Sequence, residues 1–125
     1  MGRILAIDYG RKRCGIAVTD TLQIIATGLK TVPAAELMDF LKQYTQKEQV
    51  DTFVVGYAKQ MDANDSESMQ YIRPFVKKLA ETFPQTPVEM IDGGLKKKQR
   101  QDKALIDTVS ATIILQSYME QKQRK

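Results

Sequence analysis

The chain has 125 residues, carries 19 lysines and arginines against 15 aspartates and glutamates, and contains one cysteine and no histidine. That length suits a single domain over residues 1–125 with one sizeable core. Without histidine, Ser-His-Asp catalysis, a histidine-activated thiol and histidine-ligated zinc are excluded. Any metal must then be held by oxygen ligands, which points to Mg2+ or Mn2+. Cys14 cannot form an internal disulfide and reads as a buried thiol in a reducing cytoplasm. No apolar run approaches a membrane span or a signal-peptide core, so no membrane role is expected. The net charge of +4 is a weak pointer to nucleic acid by itself.

Ile4-Leu5-Ala6-Ile7 is an unbroken apolar run, the pattern of a strand buried on both faces, and Asp8 stands where it ends. Tyr9-Gly10-Arg11-Lys12-Arg13 turns the chain, and Cys14 to Val18 reads as the second strand of a hairpin. Asp8 either opens the turn by bonding its own backbone or serves a site, because a buried carboxylate needs a partner such as a cation. Ile24 to Val32 reads as a third strand, weakened at Gly28. Pro33 fits the first position of a helix whose apolar stripe is Leu37, Phe40, Leu41 and Tyr44. Phe53-Val54-Val55, within Asp51 to Gly56, is a second short buried strand, and strand–helix–strand order implies parallel pairing.

Residues 56–64, with Lys59, form a loop at the carboxyl end of that strand, the edge where ligands bind in open α/β sheets. Asp65 or Ser66 can cap the next helix, with a stripe of Met69, Ile72, Val76, Leu79 and Phe83 and a kink expected at Pro74. Val88 to Asp92 is a last strand, ending like the first in an aspartate. The lysine-rich stretch from Gly93 to Asp102 is expected to be irregular, and Lys103 to Gln121 reads as a helix. On that helix Ser110 and Ala111 would let one side lie close to the sheet, with Asp107 on the same side. The other reading of Asp107 is a solvated first-turn acid favoured by the helix dipole.

A hairpin, a third strand, and then alternating helices and parallel strands give the order of a ribonuclease H-like α/β fold. The expected architecture is a mixed sheet of about five strands flanked by helices. Nucleases of that kind gather acids at the end of the central strand around two divalent ions. Asp8, Asp92 and Asp107 come from three elements that could meet there. Arg11, Lys12 and Arg13 on one side and Lys96, Lys97, Lys98 and Arg100 on the other would grip phosphates.

The run Asp8-x-Gly10-x-Lys12-Arg13-x-Gly15, with Ala17-Val18 and Asp20, resembles the N-terminal motif of the YqgF family. That family is described as Holliday junction resolvases and as nucleases maturing the 5′ end of pre-16S ribosomal RNA. The loop after Val55-Gly56 with Met61-Asp62, and Lys103-Ala104-Leu105-Ile106-Asp107 followed by Ser110-Ala111 through Gln116, extend the resemblance over nearly the whole chain. It implies a bacterial cytoplasmic nuclease acting on pre-16S rRNA, with ribosomal particles as a further partner, or on branched DNA, as a monomer or homodimer. Asp8 and Asp107 match its catalytic, metal-binding acids, and Arg11 to Arg13 lie where phosphates would approach.

One departure stands out. The family continues the last strand as Asp-Glu-Arg, then Thr or Ser and a helix, whereas here Asp92 runs directly into Gly93-Gly94-Leu95-Lys96. A helix's worth of chain is absent at this junction. Either the protein has residues that this sequence lacks, which the good match on both sides favours, or the deletion is real. With a real deletion Asp92 is the remaining stand-in for the glutamate, and a catalytically impaired nucleic-acid- or ribosome-binding module becomes the alternative. A third reading, the phosphate-binding hairpin of sugar kinases and actin-like ATPases, needs two domains and fits this length poorly.

Overall fold

The computed structural model describes residues 2–10, 12–57, 65–92 and 103–123, with side chains for all of these except 57, 65–69, 92, 103–107 and 123. Five strands form one sheet in the order β3-β2-β1-β4-β5: β1 (Arg3–Asp8), β2 (Arg13–Thr19), β3 (Ala26–Pro33), β4 (Val50–Tyr57) and β5 (Val88–Asp92). The β1–β2 and β2–β3 pairs are antiparallel, and β1–β4 and β4–β5 are parallel. The helices are α1 (Leu37–Lys47), α2 (Asp65–Thr82) and α3 (Lys103–Gln123).

The apolar run of β1 is explained by its place. It is the central strand, and Ile4, Leu5, Ala6 and Ile7 are all at most 1% exposed. Alternation along the strand sends Leu5 and Ile7 into a layer with Ile16, Phe53, Val55, Leu37 and Leu41 of α1, and Ile72 and Leu79 of α2. Ile4 and Ala6 enter the opposite layer with Ala17, Val54, Ile91 and Ala111, Ile114, Leu115 and Tyr118 of α3. Burying each large aliphatic side chain contributes roughly 1.5–3 kcal/mol. Small residues line the α3 side of the contact, with Ser110 and Ala111 both buried, as the sequence pattern implies. The Tyr118 hydroxyl donates to Glu89 Oε2 at 2.7 Å, and burial, aided by that carboxylate, pushes its pKa up to about 12.

Two local expectations are corrected. β3 begins at Ala26, because Ile24 and Ile25 belong to a tight turn. Asp20 holds that turn, its Oδ1 accepting from the backbone N–H of Ile24 and Ile25 and its Oδ2 from that of Leu22. Gln23 adopts the left-handed region there (φ 59°), and its side chain donates to the Gly2 carbonyl and to Asp51. Pro33 ends β3 instead of starting a helix. A short 3-10 turn, Ala34–Glu36, intervenes before α1. Pro74 lies inside α2, and the helix continues through it. Gln70, whose carbonyl loses its donor, is exposed, so water can take the place of the missing N–H.

Candidate active site

Asp8 is the last residue of the central strand and is half-buried. The register places it in a row that crosses the whole sheet, Thr31–Gly15–Asp8–Gly56–Ile91. Both lateral neighbours of Asp8 are therefore glycines. A Cβ on Gly56 would overlap the Ile114 side chain, so this glycine is required by the close approach of α3 to β4.

The turn after Asp8 is fixed from three directions. The Tyr9 ring stacks on Phe75 of α2 with centroids 4.5 Å apart. The Cys14 thiol, fully buried, donates to the Gly10 carbonyl at 3.6 Å, and the Ala34 N–H donates to the Lys12 carbonyl at 2.9 Å. A Cβ on Gly10 would run into the Arg13 carbonyl, so no larger residue fits this turn as built. Lys12 and Arg13 are exposed basic residues next to the end of β1. Burial of the Tyr9 ring against Phe75 raises its pKa.

The direction of α3 follows from its contacts. Ile114 packs at Gly56, and Tyr118 reaches Glu89, whose strand partner Val54 is two residues farther from the rim. The helix therefore descends from the rim where β1, β4 and β5 end. Asp107 lies seven residues before Ile114, about 10 Å along the axis toward that rim. Asp92 closes β5 as the partner of Tyr57, one residue beyond the Gly56–Ile91 pair. The backbone positions of Asp8, Asp92 and Asp107 thus belong to one edge of the sheet. The side chains of Asp92 and Asp107 lie outside the described residues, as do Arg11, Lys59, Lys96, Lys97, Lys98 and Arg100.

Among the described residues no three His, Cys, Asp or Glu side chains gather, and of the acidic trio only the Asp8 side chain is described. The Asp8 carboxylate is a hard oxygen donor, which suits a hard divalent cation and not a soft one. Asp20, part of the N-terminal motif, is spent on capping the β2–β3 turn and takes no place at the rim. Sequence reasoning missed Thr31, the edge-strand end of the Asp8 row. Its Oγ1 is shut off from solvent and has no hydrogen-bond partner among the described residues. Only the pairing register could have drawn attention to it.

Residues 2–121 match the family model described as RuvX: Holliday junction resolvase. A protein of Phocaeicola vulgatus is 55% identical over 136 residues, with 98% of each chain covered. One of Porphyromonas gingivalis is 51% identical over 138 residues, covering 99% of this chain and all of the relative. Both bear the name "Putative pre-16S rRNA nuclease". Because the chain has 125 residues, at least 11 positions of the first alignment and 13 of the second (136 − 125 and 138 − 125) have no counterpart in it. That is about three helical turns of chain. Two solved structures share the fold at low identity. T. thermophilus RuvC in complex with a Holliday junction substrate has a TM-score of 0.60 and 11% identity, covering 98% of this chain and 96% of RuvC. Fowlpox virus resolvase with Holliday junction DNA has a TM-score of 0.53 and 14% identity, covering 95% and 97%. The sheet is therefore ribonuclease H-like, as its strand order implies, and the chain belongs to the RuvX (YqgF) family.

Proposed function

We propose that the protein is a divalent-metal-dependent endonuclease of the cytoplasm that trims the 5′ end of pre-16S rRNA, with branched DNA as the second candidate substrate. The observation that carries this reading is Asp8, a carboxylate at the end of the central strand between two glycines and near the exposed basic residues Lys12 and Arg13. The names of relatives at about half identity over nearly the whole chain supply the substrate class.

In this reading Asp8, Asp107 and Asp92 would hold Mg2+ or Mn2+. Bound there, the cation would neutralise charge developing on the phosphodiester and favour deprotonation of water. The chain's own residues do the rest. Gly15, which carries no side chain, would leave one flank of Asp8 open to a backbone phosphate, while the Gly56 flank is closed by Ile114. Lys12 and Arg13, with Arg11 and the later basic residues Lys59, Lys96, Lys97, Lys98 and Arg100, would hold flanking phosphates. Such contacts read the shape of the backbone and leave base identity unread.

The test compares wild type with Asp8→Asn on a 5′-extended 16S precursor and on a four-way junction, with Mg2+. Cleavage of one substrate by wild type, lost in Asp8→Asn with binding retained, supports the nuclease and names its substrate. The positions that relatives have and this chain lacks favour one rival, a binding module that has lost catalysis. Equal, negligible cleavage by both proteins with binding retained would establish it.

A further inference from the structure

We infer that Phe75 of α2 is a positioning residue of the active site, fixing Asp8 through the ring of Tyr9. This rests on the nuclease reading above. Alternation along β1 puts Leu5, Ile7 and Tyr9 on the face under α1 and α2, while Ile4, Ala6 and Asp8 take the opposite face. The strand ladder stops at Asp8, whose partners there are Gly15 and Gly56. Neither glycine has a side chain to pack against the carboxylate. Tyr9 is the first residue beyond the ladder, and its ring stacks on Phe75 with centroids 4.5 Å apart and planes at 22°. Asp8 and Tyr9 are joined by one planar peptide unit, so holding the Tyr9 ring limits how far the end of β1 can rotate.

The other ties of this turn lead elsewhere. The Cys14 thiol holds the Gly10 carbonyl to β2, and the Ala34 N–H holds the Lys12 carbonyl to the 3-10 turn before α1. Both act past Tyr9, on the basic part of the turn, so the acid and the basic residues have separate supports. A second aromatic pair gives the comparison. Phe83 of α2 packs on Phe53 of β4 in the same layer, with centroids 5.1 Å apart. Phe53 pairs with Leu5, four residues before Tyr9, so this contact lies farther from the rim. Along α2 the two phenylalanines are eight residues apart, about 12 Å. Both pairs join α2 to the sheet side of the core, and of the two only Phe75 meets the residue next to Asp8.

The experiment uses the full chain as wild type, Phe75→Leu, Tyr9→Leu, Tyr9→Phe, Phe83→Leu and Asp8→Asn. Three quantities are read: thermal midpoint without metal, Mn2+ affinity by electron paramagnetic resonance, and kcat and KM with Mg2+ on the substrate that wild type cleaves. Phe75→Leu and Phe83→Leu should lower the midpoint by similar amounts, since each removes one ring pair from the same layer. Phe75→Leu should also lose roughly 10- to 100-fold in kcat and weaken Mn2+ binding with KM little changed, because small displacements at a reacting centre cost that much. Phe83→Leu should keep kcat and Mn2+ affinity at wild-type levels. Tyr9→Leu should repeat the Phe75→Leu losses, and it carries the test if Phe75→Leu does not fold. Tyr9→Phe, which keeps the ring, should recover most of what Tyr9→Leu loses. Wild-type kcat and Mn2+ affinity in Phe75→Leu, or equal losses in Phe75→Leu and Phe83→Leu, with Asp8→Asn inactive, would overturn the inference and leave the nuclease reading intact. Should Asp8→Asn cleave as well as wild type, or wild type not cleave at all, the nuclease reading fails and the role of Phe75 with it.

Discussion

Gly56 pairs with Asp8 across the parallel β1–β4 register, and the space above it is filled by the side chain of Ile114. The closeness of α3 to the sheet is thus set at the residue flanking the candidate catalytic acid. Gly56→Ala forces its methyl group into Ile114 and should destabilise the protein by about 1–3 kcal/mol, the range for overpacking. Ile114→Val removes the overlapping Cδ1, so the double variant should recover part of that loss. Urea denaturation of the two single variants and the double variant measures the coupling directly.

The turn before β3 gives a pH-dependent prediction. The Asp20 carboxyl sits below its ordinary value of 3.8, because the backbone N–H groups of Ile25 and Ile24 hold the ionised form. As pH falls, the unfolded chain therefore takes up this proton before the folded one does. The stability that Asp20 supplies is complete above about pH 5 and is lost as pH drops through the folded value. Asp20→Ala should lower the urea midpoint at pH 7, and its gap from wild type should close as the pH is taken well below 3.8.

These two residues also mark what the sequence could and could not reveal. The strands were legible because burial on both faces leaves an apolar run, as in Ile4 to Ile7, and the sheet-facing side of α3 because Ser110 and Ala111 are small. The start of β3 was not, since Ile24 and Ile25 look like strand residues. At 64% exposure each, they are held outside the sheet by a carboxylate whose partners are backbone groups with no sequence signature. Asp8 could be singled out from its place after an apolar run. Its glycine neighbours and Thr31 could not, because lateral neighbours in a sheet are set by register between residues far apart in the chain.

The exposed turn after β1 predicts how binding responds to salt. If Lys12 contacts one backbone phosphate, Lys12→Ala should weaken binding of junction DNA and precursor RNA by similar factors. The slope of log affinity against log salt should then become shallower by about one. Gly10→Ala should act differently. Its Cβ would meet the Arg13 carbonyl, so the turn must rearrange and displace Lys12 and Arg13 together. Titrations at three or more salt concentrations separate loss of one contact from disruption of the whole turn.

The junction after β5 gives a prediction about metal-dependent cleavage. The family that the sequence resembles continues its last strand with a glutamate after the aspartate, whereas here Asp92 is followed directly by Gly93. A third carboxylate would raise the negative charge available to a divalent cation at the rim, where Asp8 and Asp107 supply two of the proposed ligands. Gly93→Glu should therefore increase Mg2+-dependent cleavage over wild type on the preferred substrate, with little change in nucleic-acid affinity at fixed salt. The same substitution combined with Asp8→Asn should show no gain, because the added carboxylate acts through the cation that Asp8 helps to hold. Single-turnover cleavage rates across an Mg2+ titration measure both effects. A gain appearing mainly as a lower Mg2+ requirement would place the deficit of the present chain in metal binding and leave its substrate contacts intact.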